Sequence, residues 1–156
     1  MNHKEKQMQY IAEYAKKMID DGCGPFGALI VRNGGIIAEA VNMVTKNNDP
    51  TAHAEILAIR SAAEKLKSFR LEDCEIYSTC EPCPMCLGAI YWAGIKKVYF
   101  GATRKDAAAA GFSDDFIYSE LGKSLNERAL SSEIVNRKAA LAVFSHWCSN
   151  EKRIEY

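Results

Sequence analysis

Short apolar runs alternate with helical periodicities along this 156-residue chain, and that alternation limits its fold more than any other feature. The apolar runs over residues 26–31 and 36–41 flank Asn33-Gly34-Gly35, a turn-like segment that predicts a β-hairpin. Further strands are predicted over 74–78 and 97–100, with a helix over Pro84–Trp92 between them. Strands that alternate with helices predict an α/β fold with parallel pairing in its second half.

Helices are predicted wherever apolar residues recur every three or four positions. This spacing occurs at Met8, Ile11, Ala15 and Met18, at Ile56, Ile59, Ala63 and Leu66, and again over 139–147. Asp20-Asp21-Gly22 ends the first helix, residues 45–49 predict a polar loop, and residues 103–118 a short helix with a structured loop. No repeat or linker interrupts the chain, so we expect one domain over residues 1–156.

Charge and composition exclude several classes of function. Lysine and arginine total 20, as do aspartate and glutamate, so the formal net charge is zero. The chain therefore lacks the basic excess of a general nucleic-acid binder, and a small neutral substrate fits it better. Residues 1–15 contain no long apolar run, so neither a signal peptide nor a membrane span is expected. Six cysteines in such a chain indicate a reducing, cytoplasmic setting.

The first informative segment reads Asp49-Pro50-Thr51-Ala52-His53-Ala54-Glu55 and leads into the second helix. Residues two apart on a regular helix point roughly 200° apart. His53 and Glu55 can therefore share one site only if His53 lies at or before the first turn. That condition favours Thr51 or Ala52, rather than Asp49, as the helix boundary. Taken alone, the segment is more often a capped surface helix with an incidental His and Glu.

The second informative segment reads Cys80-Glu81-Pro82-Cys83-Pro84-Met85-Cys86. With Cys83 as the helix cap and Pro84 as its first residue, Cys86 falls one turn later on the same side. A helix N-terminus favours thiolates, and thiolates are ligands that zinc binds. A disulfide or redox role for the pair is the alternative, but no thioredoxin-like pattern surrounds it.

An iron–sulfur site formed by the cysteines is excluded by residues 90 and 91. Cys80, Cys83 and Cys86 match the start of the bacterial ferredoxin pattern, which needs a fourth cysteine four residues later, followed by proline. The chain has Ile90 and Tyr91 there.

Together, the two segments predict an open metal site. His53, Cys83 and Cys86 provide three ligands and leave a fourth tetrahedral position for water, whereas structural zinc sites are usually closed with four. Cys80, His146 or Cys148 could provide a fourth metal ligand. Cys80 suits core packing, however, and the other two do not lie in a metal-binding motif. Glu55 can take the proton of a zinc-activated water and pass it on. A His-x-Glu followed by Pro-Cys-x-x-Cys is a signature of zinc deaminases.

On these motifs the sequence resembles the cytidine deaminase superfamily, and within it most closely the bacterial guanine deaminases. The resemblance covers residues 24–28, 47–55, 80–92 and 111–118, and returns at Glu155-Tyr156. Bacterial tRNA adenosine deaminases share the metal motifs, but they typically carry a basic tail that this neutral chain lacks. Ile90-Tyr91-Trp92-Ala93 and the Gly-Phe-Ser-Asp-Asp segment favour the guanine deaminases.

The resemblance implies a three-layer α/β/α sandwich around a five-stranded mixed sheet. It also implies one zinc ion per chain and hydrolysis of guanine to xanthine and ammonia, with Glu55 as the catalytic residue. Homodimers that exchange C-terminal segments are typical of the bacterial members. The residues implied to bind the base are Phe26, Asn42, Ala54, Trp92, Asp114 and Tyr156.

Each of these roles has a structural alternative. Phe26 and Trp92 can simply pack in the core, and Asn42 can cap the hairpin. Asp114 can belong to a solvated turn, and Tyr156 to a frayed end. For the whole chain, the competing functions are a tRNA-specific adenosine deaminase and a zinc-stabilised binding module without turnover.

Overall fold

A computed structural model describes every residue from Met1 to Tyr156 and divides the chain into two compact units, Met1–Ile117 and Tyr118–Tyr156. The first unit contains one mixed sheet of four strands in the order β2-β1-β3-β4. The elements in chain order are α1 (His3–Ile19), β1 (Gly27–Arg32), β2 (Gly35–Val41), α2 (Val44–Asn47), α3 (Ala54–Leu66), β3 (Cys74–Cys80), α4 (Pro84–Trp92), β4 (Lys97–Ala102), α5 (Arg104–Ala109), α6 (Asp115–Leu121), a 3-10 helix (Leu125–Glu127) and α7 (Arg137–Ser149).

The predicted hairpin is confirmed, and its turn shows why. Asn33 and Gly34 have φ angles of 50° and 79°, and two such residues build the tight turn that matches the twist of antiparallel strands. β1 pairs antiparallel with β2 and with β3, while β3 pairs parallel with β4 across the α4 connection. Parallel pairing in the second half of the chain is therefore also confirmed.

The sheet has four strands, so the expectation of five is wrong. After β4 ends at Ala102, the chain turns at once into α5, because Thr103 and Asp106 form a reciprocal capping box. The regular elements beyond that point are all helical. The polar loop predicted over 45–49 is also partly wrong, since α2 occupies Val44–Asn47 and ends at the left-handed Asn48.

Two hydrophobic clusters use alternate residues of β1. Ala28 and Ile30 pack with Ala54 and Ala58 of α3, whose small side chains let the helix approach the sheet. Leu29 and Val31 pack instead with Ile11 of α1 and Tyr77 of β3. Because neighbouring side chains on a strand point to opposite faces, α1 and α3 cover opposite faces of β1.

The second unit, Tyr118–Tyr156, contains the 3-10 helix and α7. Asn136 caps α7 by accepting a hydrogen bond from the backbone of Ala139, so the predicted last helix is confirmed with bounds Arg137–Ser149. This unit leaves large apolar side chains exposed, among them Val143 at 67% and Phe144 at 66%. None of the helices in the chain has the length and apolar character needed to cross a membrane.

Candidate functional site

The start of α3 places His53 and Glu55 on one side of the helix end. His53 is the N-cap residue in extended conformation, with φ −69° and ψ 151°, and Glu55 lies in the first turn. The condition that His53 precede the first turn is therefore met. The helix begins slightly later than the predicted boundary at Thr51 or Ala52. The reason is that the Thr51 backbone and hydroxyl donate to Asp49 Oδ1 at 2.8 and 2.7 Å, forming a separate turn.

The start of α4 agrees with the sequence prediction in each detail. Cys83 is the N-cap, Pro84 occupies the first turn, and Cys86 lies fully buried one turn later. Proline suits this place because the first helical residues have no intrahelical hydrogen-bond acceptor for an N–H group. The local sequence thus brings two thiols to one helix end.

The two helix starts meet at a cluster of three donor residues. His53 Nδ1 lies 3.6 Å from Cys83 Sγ and 3.5 Å from Cys86 Sγ, and one ligand atom from each residue falls within 4.8 Å of the others. Bonds of about 2.0–2.3 Å at tetrahedral angles separate zinc ligands by about 3.5 Å. The spacing of these atoms therefore suits a tetrahedral metal.

Cys80 does not belong to this cluster. It ends β3 with 8% of its surface exposed, and its thiol donates to the backbone oxygen of Thr103 at 3.6 Å. His146 and Cys148 lie on α7 in the second unit. The three-residue cluster thus matches the sequence prediction for the metal ligands.

Electrostatic coupling within the cluster favours a thiolate at Cys83. The adjacent Cys86 thiol, together with the His53 ring, lowers the pKa of Cys83 to about 4 although burial opposes this. The contact with Cys83 in turn raises the pKa of Cys86. The contact with Cys83 also raises the pKa of His53.

Glu55 is a buried carboxylate beside the cluster, with 6% of its surface exposed. Its Oε1 accepts a hydrogen bond from Ser78 Oγ at 2.9 Å, and its Oε2 accepts one from Cys86 Sγ at 3.4 Å. Burial raises the pKa of the Glu55 carboxyl, and these two hydrogen bonds only partly oppose that rise. A carboxyl in this setting can hold and release a proton close to the cluster.

The cluster opens into a cavity of about 650 Å³, a size typical of small-molecule sites. His53, Glu55 and Cys83 form part of its wall. Of the residues implied to bind a base, Phe26, Asn42 and Asp114 also line it. Burial raises the pKa of the Asp114 carboxyl.

Asn42 presents its side chain to this cavity in a fixed orientation. It is 9% exposed, and its Oδ1 accepts a hydrogen bond from the Val44 backbone at 3.2 Å. Its backbone bonds to Gly24 and to Phe26 on the neighbouring segment. With Oδ1 engaged, the amide nitrogen is the group oriented to donate to a ligand.

Three of the implied residues do not line the cavity. Ala54 is fully buried in the core, and Trp92 ends α4 with 75% of its surface exposed. Tyr156 lies in the second unit, 78% exposed, with its ring 6.5 Å from that of Trp147 in an edge-to-face contact.

Two residues at the site have no role in the sequence prediction. Phe112 lines the cavity and contacts Phe26 edge-to-face, with ring centroids 4.9 Å apart. Ser78 holds Glu55 from β3. The motif around Gly111 was the available sequence signal for Phe112. For Ser78 the signal was a single hydroxyl among the alternate residues Cys74, Ile76, Ser78 and Cys80 of β3.

Comparisons with known proteins agree with this chemistry. The family model of the cytidine and deoxycytidylate deaminase zinc-binding region matches residues 1–102. Guanine deaminase of Bacillus subtilis is 48% identical over 157 aligned residues, covering 100% of both chains. The crystal structure of a guanine deaminase from the same species superposes with a TM-score of 0.95 at 48% identity, covering 100% of this chain and 99% of that one. The tRNA-specific adenosine deaminase of Haemophilus influenzae is 42% identical over 117 residues, covering 72% of this chain and 68% of the relative.

Proposed function

This chain belongs to the cytidine and deoxycytidylate deaminase zinc-binding family, and we propose that it hydrolyses guanine to xanthine and ammonia. One observation carries the proposal. The cluster of three metal donors and the buried carboxylate of Glu55 lie at the wall of one cavity of about 650 Å³, which His53, Cys83 and Glu55 line. The full-length similarity to a guanine deaminase favours guanine over the other substrates of the family.

His53, Cys83 and Cys86 fit a zinc ion by donor type and by spacing. Two sulfurs and one imidazole are a ligand set that zinc prefers, and three protein ligands leave one position for water. A zinc ion held by these residues would supply a water acidic enough to act as a nucleophile near neutral pH.

Glu55 is assigned the proton transfers. Its Oε2 faces the cluster, since the oxygen contacts Cys86, while Oε1 is held by Ser78. From this position the carboxylate takes a proton from the attacking water. It passes this proton to the ring nitrogen, then takes the second proton from the added oxygen and passes it to the amine, which departs as ammonia when the C–N bond breaks.

The cavity walls supply base recognition. The Asn42 amide is oriented to donate to a purine acceptor, and a carboxylate at Asp114 suits the amino and ring N–H donors of guanine. Phe26 and Phe112 form an aromatic wall for the base. Ala54 is fully buried, and the role we propose for it is donation to the base from its backbone N–H, which opens α3.

The substrate assignment is tested by a panel of guanine, adenine, cytosine, cytidine and tRNA, with ammonia release as the measurement. We expect release from guanine and none from tRNA, because a chain of zero net charge offers little general attraction to a phosphate backbone. Inosine formation in tRNA without ammonia from guanine would favour the competing tRNA deaminase. No turnover on any substrate by zinc-loaded protein would favour a binding module.

The proposal includes a homodimer that exchanges its C-terminal segments. The apolar side chains of α7, such as Val143 and Phe144, are exposed in a single chain, and such surfaces mark protein contacts. We propose that Tyr156 completes the partner's pocket rather than its own, and that the exchanged segment also organises the Asp114 side of that pocket. The two units then belong to one deaminase domain with α/β/α layers.

Complementation tests the exchange. Glu55→Gln has a disabled pocket and an intact tail, whereas a chain lacking residues 153–156 has an intact pocket and no tail end. If tails act on the partner, mixed dimers formed by refolding the two together regain activity. If each tail serves its own pocket, the mixture stays as inactive as its components.

The free thiols support a proposal about the compartment. All six cysteines are free, two of them within the cluster, and a reducing environment preserves them. We therefore propose a cytoplasmic enzyme of purine breakdown.

A further inference from the structure

Ser78 is a buried hydroxyl in an otherwise apolar row of side chains. On β3, alternate residues share one face of the strand, and Cys74, Ile76, Ser78 and Cys80 form such a row. Cys74 and Ile76 belong to the core cluster that includes the α3 alanines. Ser78 itself is 1% exposed, so its hydroxyl needs a partner inside the protein.

That partner is Glu55, whose Oε1 accepts from Ser78 Oγ at 2.9 Å. The other carboxylate oxygen, Oε2, contacts Cys86 Sγ at 3.4 Å, a bond that requires a proton on the sulfur. Metal ligation requires deprotonated cysteine. Once Cys86 binds a metal, this thiol can no longer donate to Oε2, and Ser78 remains as the side chain that holds Glu55 by a hydrogen bond.

We propose that Ser78 is a positioning residue for Glu55, a role that rests on the proposed deaminase function. By binding Oε1 from the sheet, the hydroxyl fixes the carboxylate plane and leaves Oε2 directed at the metal cluster. A carboxylate free to rotate would still lie beside the cluster. It would, however, spend less time with its proton-carrying oxygen directed at water and substrate. Turnover is sensitive to such misalignment, whereas binding of the base is not.

The test compares Ser78→Ala, which removes the hydroxyl, with Ser78→Thr, which keeps it. Both are assayed for zinc content and for guanine turnover. For Ser78→Ala we expect full zinc content, a KM close to that of the unsubstituted enzyme, and a kcat lowered on the order of 10-fold or more. Ser78→Thr should restore most of the kcat. If Ser78→Ala fails to fold, Ser78→Cys replaces it, because the thiol keeps the shape of the side chain and donates more weakly. We expect a lowered kcat for this variant too.

Thr79→Val is the matched control. Thr79 is the next residue on β3, and its hydroxyl accepts from the Gly27 backbone at 3.0 Å without contacting Glu55. Its loss should lower the unfolding temperature while leaving kcat near that of the unsubstituted enzyme. A fall in kcat equal to that of Ser78→Ala would mean that general loosening of β3 explains both.

A second readout does not depend on activity. Thermal unfolding of zinc-loaded Ser78→Ala, Glu55→Ala and the double variant should be non-additive, because either substitution removes the same bond. Additive shifts, or an unchanged kcat in Ser78→Ala, would overturn the positioning role. Absence of guanine turnover in the unsubstituted enzyme would instead count against the proposed function, while the unfolding cycle would still report on the Ser78–Glu55 bond.

Discussion

Gly24→Ala should damage base binding without altering the candidate metal ligands His53, Cys83 and Cys86. A Cβ at Gly24 would lie 2.7 Å from Asn42 Oδ1, 2.9 Å from Cγ and 3.1 Å from Cβ. Ordinary contacts begin near 3.4 Å, so the amide oxygen must move by about 0.7 Å (3.4 minus 2.7). Gly24 does not adopt a left-handed backbone conformation, so backbone strain does not contribute to the effect.

The backbone cannot easily absorb the added methyl group. Gly24 N–H donates to Asn42 O at 3.0 Å, and Asn42 N–H donates to Phe26 O at 2.9 Å, which ties the two segments together. The Asn42 side chain must therefore rotate and give up its bond with the Val44 backbone. Losing one oriented hydrogen bond to the base costs about 1–3 kcal/mol. That cost corresponds to a loss of roughly 5- to 160-fold in kcat/KM for guanine.

Steady-state kinetics on zinc-loaded protein provide the assay, with Gly35→Ala as the control. A Cβ at Gly35 meets only Arg32 O at 3.6 Å, an ordinary contact, so this variant should match the unsubstituted enzyme. If Gly24→Ala acts through the amide, it should have little further effect in an Asn42→Ala background. The reasoning is refuted if Gly24→Ala keeps its kcat/KM, or if the two substitutions multiply their effects.

The remaining predictions concern the metal, the proton carrier and the tail. Cys83→Ala should lose zinc and unfold at lower temperature, because site formation contributes to folding. Cys80→Ser should keep its zinc by metal analysis, and an empty site in this variant would show that the ligand set is wrong. Glu55→Gln should retain zinc and guanine affinity but lose at least ~10²-fold in kcat, and an unchanged rate would assign the proton transfer elsewhere. Asp114→Ala should weaken guanine turnover by about 1–3 kcal/mol in kcat/KM, since a buried donor on the base loses its acceptor. Deleting residues 153–156 should leave a folded, zinc-loaded protein with poor activity, and unchanged kinetics would remove Tyr156 from the site.

Local sequence signals predicted the metal cluster well because its geometry is set by two helix starts. His53 immediately precedes α3, and Cys83 followed by Pro84 begins α4. These local positions determine where the three ligand side chains point. The hairpin was equally predictable from Asn33 and Gly34, since few residues adopt positive φ at a tight turn.

Features set by distant contacts were not predictable in the same way. The strand count depended on a family resemblance, and the capping box at Thr103 instead turns the chain into a helix after β4. In the sequence, Ser78 is not distinguished from other strand residues, because its partner Glu55 lies 23 positions away and only the fold brings the two together. Phe112 and Phe26 form one wall of the cavity only after the loop beyond α5 returns to β1.

The central claim is that water replaces the amino group of guanine in the cavity beside Glu55. Incubating zinc-loaded protein with guanine in isotopically labelled water, followed by mass spectrometry of the product, tests it most directly. We expect xanthine that carries one labelled oxygen, formed together with ammonia, and no xanthine after zinc is removed by a chelator. Guanine recovered unchanged from the zinc-loaded enzyme, or xanthine without the label, would rule out this reaction.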